Sequence, residues 1–453
     1  MFLPIGLQLA RCVQARWFLP ALPWLADRSG RGCSRAKLTR SFPLPVLHFS
    51  NELVRGGVEE HMLTLLRELD RKCFRPLLVC PPECAEKLGP DLPSDVEVLP
   101  LSLQTPDQVG AAFRFAQFLR RQQVAILHSH LFRASLVASP IGWLCRVPVI
   151  LETPHVREAW RKGWLKGSFF VDRFAGQFVD RYIAVSAANA RFLIEEKQLP
   201  ARKVQIIHNG SDLRKFDPKH LAPAGMKQAL GFDESDPVLV VVGRLEPQKG
   251  HSVMLEAHAQ ILKCFPRVRL VCIGEGALRQ QLQARVEALG IRESVRFVGF
   301  QRNVADWLAM ADISILPSFF EGLPLAAIES LAAGRPIVAT EVDGTLEVVI
   351  NEKTGLSVPH GQAKALANAI LRLLGDPELA KELAHAGRRW VEEHFSQEQQ
   401  IQRTENLYLQ SWERSSRGLK HKTADGAVQV AACDNREGRS LLVEKASGEV
   451  KRR

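Results

Sequence analysis

The feature that most constrains the fold is a repeated alternation between short apolar runs and segments with helical spacing. One series of runs rich in Val, Ile and Leu covers residues 46–49, 77–80, 124–127, 147–151 and 182–185. A second series covers residues 238–242, 268–273, 295–298, 313–316 and 336–339. Continuous apolar runs of this length are typical of strands buried on both faces of a parallel sheet.

Strands that alternate with helices predict right-handed βαβ units and doubly wound sheets. Two such series predict an α/β fold with two Rossmann-like domains. We expect a first domain over residues 44–216, a second over 217–396, and a C-terminal helix over 397–413. Basic segments flank these domains, an extension at 1–43 and a tail at 414–453 whose polar composition predicts disorder.

The formal net charge of +11 lies at the two ends of the 453-residue chain. Residues 1–40 hold seven Lys and Arg against one Asp, and residues 414–453 hold ten against five acidic residues. The body between them is neutral by count, so it lacks the basic stripe that nucleic-acid binding requires. The tails suit either simple solvation or contact with an anionic membrane.

The nine cysteines are scattered and have no spacing that predicts a zinc site. We therefore expect reduced thiols in a cytoplasmic protein. The apolar runs near the N-terminus are interrupted by Arg11, Arg16 and several prolines, and are shorter than the roughly 20 residues of a membrane span. No basic region precedes the first run, so a signal peptide is not expected.

Two carboxylates stand out between Pro317 and Thr340. Glu321 follows a predicted strand and precedes a helix whose first turn suits Pro324, so we expect it at the ligand crevice. Glu329 lies within that helix, which is apolar nearly all round. A carboxylate there needs a partner: either a nearby Arg or solvent at the helix edge, or the vicinal hydroxyls of a bound ribose.

Cations and glycines follow other strands. Arg244 and Lys249 come after the first strand of the second domain, where two fixed cations suit a diphosphate. Gly56-Gly57 follows the first strand of the first domain, as an ordinary turn or as a loop that approaches a phosphate or sugar closely. Gly274-Glu-Gly276 lacks the third glycine of a dinucleotide fingerprint, so a nicotinamide or flavin cofactor is not expected.

Histidines occur near the ends of two predicted strands of the first domain. His128-Ser-His130 and Thr153-Pro-His155 follow apolar runs, so we expect these side chains to face the crevice between the domains. Lone histidines are more often structural. The chain contains no Asp-x-Asp, which argues against a metal-bridged diphosphate.

Taken together, Gly56-Gly57, Thr153-Pro-His155, Arg244 with Lys249-Gly250, Gly274-Glu-Gly276 and Glu321 to Glu329 resemble the retaining glycosyltransferases of family 4. The resemblance covers about residues 44–410. It implies the GT-B fold, in which an acceptor-side domain and a donor-side domain face each other across a deep cleft. It also implies that no metal or other cofactor is needed.

By the same resemblance, His155 and Glu321 contact the transferred sugar, Arg244 and Lys249 bind the donor diphosphate, and Glu329 holds the ribose. The residues given a catalytic role are His155, Glu321, Arg244 and Lys249. The residues given a donor-binding role are Gly56, Gly57, Arg244, Lys249, Gly274, Gly322, Leu323, Pro324, Leu325 and Glu329. His128 and His130 are candidates for the acceptor side.

The resemblance also implies a front-face substitution, in which the leaving phosphate helps to take the acceptor proton. One departure is Asp343-Gly344, where the family commonly has two adjacent glycines. Residues 156–174 interleave aromatic and basic side chains, which suits either a membrane interface or a helix that buries its aromatic side.

These features predict an enzyme that moves a hexosyl unit from a UDP- or GDP-sugar to a glycan or lipid-linked acceptor, in the cytoplasm or on the inner face of the membrane. Two alternatives remain open. A nucleotide-sugar epimerase of the same architecture would need no acceptor, and a sugar-nucleotide-binding protein would show no turnover. The sugar, base, acceptor and linkage do not follow from the sequence.

Overall fold

The structure is a computed structural model that describes residues 42–52, 56–105, 108–155, 169–217, 219 and 222–420, with side chains through residue 415. The predicted extension at 1–43, most of the predicted tail and residues 156–168 therefore lie largely or wholly outside the described residues. From Pro43 onward the described residues belong to one compact unit built on two parallel sheets. The predicted α/β fold is confirmed.

The first sheet has seven parallel strands in the order β3-β2-β1-β4-β5-β6-β7. They are β1 (Leu44–Phe49), β2 (Phe74–Cys80), β3 (Glu97–Pro100), β4 (Ile126–His130), β5 (Val149–Thr153), β6 (Arg181–Ala184) and β7 (Val204–Ile206). The helices of this half are α1 (Gly57–Glu68), α2 (Pro82–Leu88), α3 (Val109–Arg121), α4 (Phe132–Leu144), α5 (Phe169–Ala175) and α6 (Ala187–Arg191). Strand β1 pairs with both β2 and β4, so the strand order reverses beside it.

The second sheet has six parallel strands in the order β10-β9-β8-β11-β12-β13. They are β8 (Val238–Val242), β9 (Arg269–Ile273), β10 (Val295–Gly299), β11 (Ile313–Leu316), β12 (Ile337–Thr340) and β13 (Leu356–Val358). Its helices are α7 (Met226–Ala229), α8 (His251–Ile261), α9 (Arg279–Ala288), α10 (Val304–Met310), α11 (Leu325–Ala332), α12 (Thr345–Val348), α13 (Ala363–Gly375) and α14 (Pro377–His394). Here the order reverses between β8 and β11.

The last helix, α15 (Gln397–Lys420), leaves the second half and packs against the first sheet. Tyr408 is completely buried there in a cluster that includes Leu44, Phe74 and Leu151. The helix continues past residue 413, where we expected it to end. None of the described helices combines the length and the hydropathy that a membrane span needs.

The structure corrects several strand assignments. Strands β4 and β5 both begin two residues later than predicted, and they end three and two residues later, so His128, His130 and Thr153 lie inside strands rather than after them. The reason is that these polar side chains are buried against one another, and the strand continues through them. Strands β3, β7 and β13 were not predicted, because they are short and lie toward the sheet edges.

Candidate active site

Most of the predicted site residues lie at the carboxyl ends of the strands that flank the two reversal points. In an open parallel sheet, ligands bind in the crevice at this position. The first sheet contributes the loops after β1 and β5, and the second contributes the loops after β8, β9 and β11. The two halves touch here, which brings together residues more than a hundred positions apart in the sequence.

Glu321 and Lys249 form an ion pair at the centre of this region. Nζ of Lys249 donates to Oε1 of Glu321 at 2.6 Å, and Oγ of Ser318 donates to the same oxygen at 2.6 Å. Glu321 is 5% exposed, so its carboxylate is largely desolvated and held in one orientation. The loop after β11 therefore presents a fixed acceptor beside a fixed cation.

His155 meets Gly322 across the boundary between the halves. A side chain at Gly322 would overlap the carbonyl oxygen of His155, so only glycine permits this approach. His155 itself has a φ of 60°, which is unusual for a residue with a side chain. The His155 backbone and the residue after Glu321 are thus in direct contact.

Asp343, which stands where the family commonly has a glycine, lies against the loop after β11 that carries Glu321. Its φ is 34°, and its Oδ2 accepts a hydrogen bond from the amide nitrogen of Glu321 at 3.3 Å. The next residue, Gly344, is packed so closely that a side chain would overlap the carbonyl oxygen of Gly322. The aspartate therefore replaces a glycine at positive φ and supplies an acceptor that fixes the Glu321 backbone.

Arg244 lies beside the glycine pair of the first half. A Cβ added at Gly56 would come within 3.7 Å of Cδ and Nε of Arg244, whereas one at Gly57 would meet nothing within 4 Å. Gly56 also donates its amide hydrogen to Glu59 at 2.9 Å, at the start of α1. The guanidinium and the α1 N-terminus thus come together from opposite halves, as a site for a diphosphate requires.

The remaining predicted donor-binding residues lie around this centre. Gly274 follows β9 with a φ of 138°, packed against the carbonyl oxygen of Gly243. Leu323 is buried in the core of the second half, and Pro324 directly precedes α11, which begins at Leu325. These positions shape the loops after β9 and β11 and the start of α11.

Glu329 lies within α11 and is partly buried. Burial raises the pKa of Glu329 to about 8; the nearby charge of Glu60 raises it further and that of Lys215 lowers it. Among the described residues, none makes a hydrogen bond or an ion pair with this carboxylate. The arginine partner considered from the sequence is therefore not seen in this part of the chain.

Five buried histidines, including His155, pack together. Nδ1 of His48 lies 3.0 Å from Nε2 of His130, and Nδ1 of His130 lies 3.1 Å from Nε2 of His155. His61 stands edge-on to His155, with ring centroids 4.7 Å apart. Burial lowers the pKa of every member of this histidine cluster (His48, His61, His128, His130 and His155) far below neutrality. Each ring is therefore neutral, with one N–H and one lone pair.

Two triplets within the cluster have metal-ligand spacing, with candidate ligand atoms within 4.8 Å of one another. One is His48, His128 and His130, and the other is His61, His130 and His155. Their hydrogen bonds do not suit a metal. Both nitrogens of His128 are bonded to hydroxyls, and Nδ1 of His61 faces an amide donor of Gln400 where a metal ligand would need an acceptor.

His128 does not reach the cleft. Its Nε2 lies 2.7 Å from Oγ1 of Thr153 and its Nδ1 lies 2.7 Å from the hydroxyl of Tyr408. Neither ring nitrogen is available to bind an acceptor substrate, so the structure does not support the predicted role of His128 on the acceptor side. His130 is also completely buried, with both nitrogens directed at other histidines.

Sequence reasoning missed four residues of this region: Ser318, His61, Gln400 and Tyr408. Ser318 stands three residues before Glu321 and had a local signal, since a hydroxyl at that spacing reaches the carboxylate. His61 occupies an apolar position of α1, between Val58 and Leu65, and that was the available signal. Gln400 and Tyr408 lie in α15, whose return to the first sheet no local pattern indicates.

A pocket of about 290 Å³ opens beside Glu321 and is lined by both halves. The second half contributes Glu321, Asp343 and Leu346, and the first contributes charged and polar groups of the segment from α6 onward, including Asn189, Arg191 and Glu195. A second substrate placed here would lie next to the Glu321 carboxylate.

Comparisons with known proteins agree with this geometry. The profile of "Glycosyl transferases group 1" matches residues 225–390, and that of "Glycosyltransferase Family 4" matches residues 55–215. A putative glycosyltransferase of Bacillus subtilis, EpsD, is 30% identical over 267 residues, which is 57% of this chain and 69% of EpsD.

Two further proteins are informative. The Escherichia coli UDP-Gal:alpha-D-GlcNAc-diphosphoundecaprenol alpha-1,3-galactosyltransferase is 26% identical over 269 residues, 58% of this chain and 70% of the relative. The crystal structure of Anabaena HepE in complex with UDP-glucose superposes with a TM-score of 0.68 at 19% identity, over 83% of this chain and all of HepE. The second similarity establishes the GT-B fold.

Proposed function

Since the chain belongs to the family 4 glycosyltransferases, enzymes of the transferase class, we propose that it moves a hexosyl unit from a nucleotide sugar to a glycan or lipid-linked acceptor with retention of configuration. The observation that carries this proposal is the Glu321 carboxylate, held by Lys249 and Ser318 and placed against His155 through Gly322. The E. coli relative, whose name gives UDP-Gal as donor, supports a UDP-sugar.

The proposed division of roles follows the positions of the charges. In this proposal Arg244 and Lys249 stabilise the negative charge that develops on a departing diphosphate. Glu321 accepts hydrogen bonds from hydroxyls of the transferred sugar, and Glu329 from those of the ribose. His155 contacts the sugar from the first half, and the acceptor enters through the pocket lined by Asn189 and Arg191.

Metal independence is part of the proposal. The groups next to the proposed diphosphate position are cations, which can do the work of a divalent ion, and the histidine cluster is bonded in a way that does not suit a metal. Turnover by enzyme treated with EDTA should match turnover with added Mg²⁺ or Mn²⁺. A rate restored only by metal would contradict this part.

A screen identifies the donor and tests the function directly. Thermal shift or calorimetry with UDP-, GDP- and ADP-sugars should show one preferred base, and we expect it to be uracil. NMR of the product formed with an acceptor then gives the anomeric configuration. Incubation without an acceptor separates the alternatives, because an epimerase releases an altered sugar nucleotide and a transferase does not.

An exposed aromatic patch supports a lipid-linked acceptor and membrane contact. Trp143 is 57% exposed and Phe174 is 60% exposed, and both stand edge-on to Phe178 at centroid distances of 5.4 and 5.8 Å. Aromatic side chains beside arginines such as Arg173 suit the interface of an anionic bilayer. Phe174 and Arg173 belong to the interleaved segment 156–174 predicted from the sequence, of which residues 156–168 lie outside the described residues.

Vesicle co-sedimentation tests the membrane contact. Wild type should partition with phosphatidylglycerol vesicles more than with phosphatidylcholine vesicles. A variant with Trp143→Ala and Phe174→Ala, and one with Trp160, Trp164, Arg161 and Lys162 replaced by alanine, should lose this preference. Phe300→Ala, which removes an exposed aromatic side chain elsewhere, is the control. Equal partitioning of all forms would end the membrane proposal.

A further inference from the structure

Helix α15 follows the second domain in sequence but contacts the buried histidine cluster of the first. Two of its side chains, Gln400 and Tyr408, are completely or almost completely buried and bond directly to histidine rings. Neither residue is close in sequence to the cluster it touches. Each contact begins a chain of interactions toward His155, called an arm below. The first arm runs from Gln400 to His61, and the second runs from Tyr408 through His128 to Thr153.

The first arm fixes which nitrogen of His61 carries the proton. The amide nitrogen of Gly210 donates to Oε1 of Gln400 at 2.5 Å, and a backbone N–H can only donate. The carboxamide of Gln400 is thereby oriented with Nε2 toward Nδ1 of His61, at 2.9 Å. Because that Nε2 is a donor, Nδ1 of His61 must offer its lone pair, and the neutral ring carries its hydrogen on Nε2.

The Nε2 edge of the His61 ring, opposite Gln400, makes no hydrogen bond to its neighbours. Nε2 of His61 has no hydrogen-bond partner of good geometry, although Asn209 lies beside the ring. The ring stands at 80° to that of His155, with centroids 4.7 Å apart. Gln400 fixes the tautomer of His61. It therefore determines whether the ring directs an N–H group or an unprotonated nitrogen toward the His155 side of the cluster.

The second arm reaches His155 through the backbone. The hydroxyl of Tyr408 lies 2.7 Å from Nδ1 of His128, whose Nε2 lies 2.7 Å from Oγ1 of Thr153. Thr153 ends β5, and only Pro154 separates it from His155. Proline restricts the backbone, so the position of Thr153 is passed on to a residue that already has a φ of 60° and a carbonyl packed on Gly322.

We propose that α15 positions His155 for the reaction through these two arms, with Gln400 and Tyr408 as positioning residues. The proposal rests on the proposed function in one respect, that His155 contacts the transferred sugar. A misplaced His155 then weakens interactions with the sugar and leaves those with the nucleotide unchanged. A purely structural helix would instead affect both or neither.

The sharpest variant is Gln400→Glu. A carboxylate still accepts from Gly210, and its second oxygen requires a hydrogen on Nδ1 of His61, which either moves there from Nε2 or is bound as a second proton. The size of the side chain is conserved, so the packing around this position is preserved better than with a truncation. Tyr408→Phe removes only the hydroxyl of the second arm. Gln402→Glu, the same change on the exposed face of α15, is the matched control.

Imidazole NMR tests the arms without any substrate. In protein labelled with ¹⁵N-histidine, the His61 signals should show the Nε2–H form in wild type and in Gln402→Glu. They should show a protonated Nδ1 in Gln400→Glu. The His155 signals should shift in both Gln400→Glu and Tyr408→Phe. Unchanged His155 signals in both variants, or an unchanged His61 tautomer in Gln400→Glu, would overturn the proposal.

Binding and kinetics test the consequence with UDP and UDP-galactose. In the two variants kcat/KM for UDP-galactose should fall about tenfold or more, as expected for a misplaced contact, while the Kd for UDP stays within about twofold. An equal loss for UDP would overturn the positioning role. If wild type binds neither compound, the proposed donor fails, and the NMR result still decides whether α15 controls the histidines.

Discussion

Nζ of Lys249 and Oε1 of Glu321 lie 2.6 Å apart, although the two residues come from loops after different strands of the second sheet. The two side chains carry opposite charges at this short distance, so each charge is partly neutralised by the other. A donor diphosphate that draws Lys249 toward itself would release the Glu321 carboxylate for the sugar hydroxyls. The two binding roles proposed for this loop region are therefore coupled.

Glu321→Gln tests this coupling. We expect kcat to fall about 100-fold, in the range found for the loss of one electrostatic contact to a reacting group. Nucleotide binding should be unchanged or tighter, because Lys249 is freed from its partner. Calorimetry with UDP and initial rates with the preferred donor separate the two effects. Glu382→Gln, on the exposed face of α14, is the control. A loss of UDP affinity in Glu321→Gln that parallels its loss of kcat would contradict the assignment.

Glu329→Ala should weaken nucleotide binding about tenfold or more, because a hydrogen bond to a carboxylate contributes about 1.5–3 kcal/mol. Glu329→Gln, which keeps one acceptor oxygen, should lose less. The measurement is the Kd for UDP at pH 8.5, where the carboxyl of the wild type is mostly ionised. Equal affinity in all three forms would remove Glu329 from the ribose site.

The pH dependence of stability offers an independent test of Glu329. Burial raises its pKa to about 8 from an ordinary 4.5, so the folded chain keeps a proton that the unfolded chain releases between these values. The stability associated with this group is present below pH 4.5 and is lost as the pH rises to about 8. Glu329→Gln cannot ionise, so its Tm relative to wild type should rise between pH 5 and pH 9. A constant difference would show that the pKa is not raised.

Gly322→Ala should impair the enzyme because a methyl group there overlaps the carbonyl oxygen of His155. Overpacking of this kind costs about 1–3 kcal/mol and displaces the backbone on one or both sides. We expect a lower Tm and a large loss of kcat. Gly110→Ala is the matched control, since a methyl group at that position in α3 meets nothing within 4 Å. Full activity in Gly322→Ala would mean that the two segments separate in the working enzyme.

A buried ion pair gives a prediction for stability. Nζ of Lys197 lies 2.6 Å from Oδ1 of Asp172, both side chains are at most 2% exposed, and the ammonium lies 4.6 Å from the Phe132 ring centroid. Removing one member, as in Asp172→Ala, should cost about 3–5 kcal/mol of unfolding free energy, because a charge is left buried and unpaired.

Urea denaturation with two comparisons checks this value. Replacing both residues with leucine and methionine should cost less than the single change, since no uncompensated charge remains. The exposed pair of Lys381 and Glu378 is the second comparison; its removal should change stability by less than about 1 kcal/mol. If the buried and exposed pairs cost the same, the Lys197 ammonium is hydrated.

The parts that could be predicted from the sequence are those with local signals. Apolar runs identified the central strands, and the order of glycines, cations and carboxylates identified the loops that meet at the cleft. Strand β3, with the sequence Glu-Val-Leu-Pro, lies at the sheet edge and carries partly exposed side chains, so it has no continuous apolar run. Strands β7 and β13 have three residues each, too few for a periodic pattern.

Relationships between distant segments could not be predicted. No spacing in the sequence indicates that Lys249 pairs with Glu321, because the contact depends on how two loops fold back over the sheet. His128 and His130 were expected at the cleft since a strand was taken to end before them. The histidines are instead buried in the strand, and Tyr408, the partner of His128, lies 280 residues away in the sequence.

The return of α15 to the first sheet has a consequence for how the protein is made. Tyr408 fills a core position beside Leu44 and Phe74, so the first half of the chain to leave the ribosome lacks part of its own interior until nearly all of the second half has been synthesised. The two halves cannot mature one after the other as independent units. Folding of the amino-terminal half should finish only after release, and a nascent chain stalled before residue 400 should remain open to protease at that sheet.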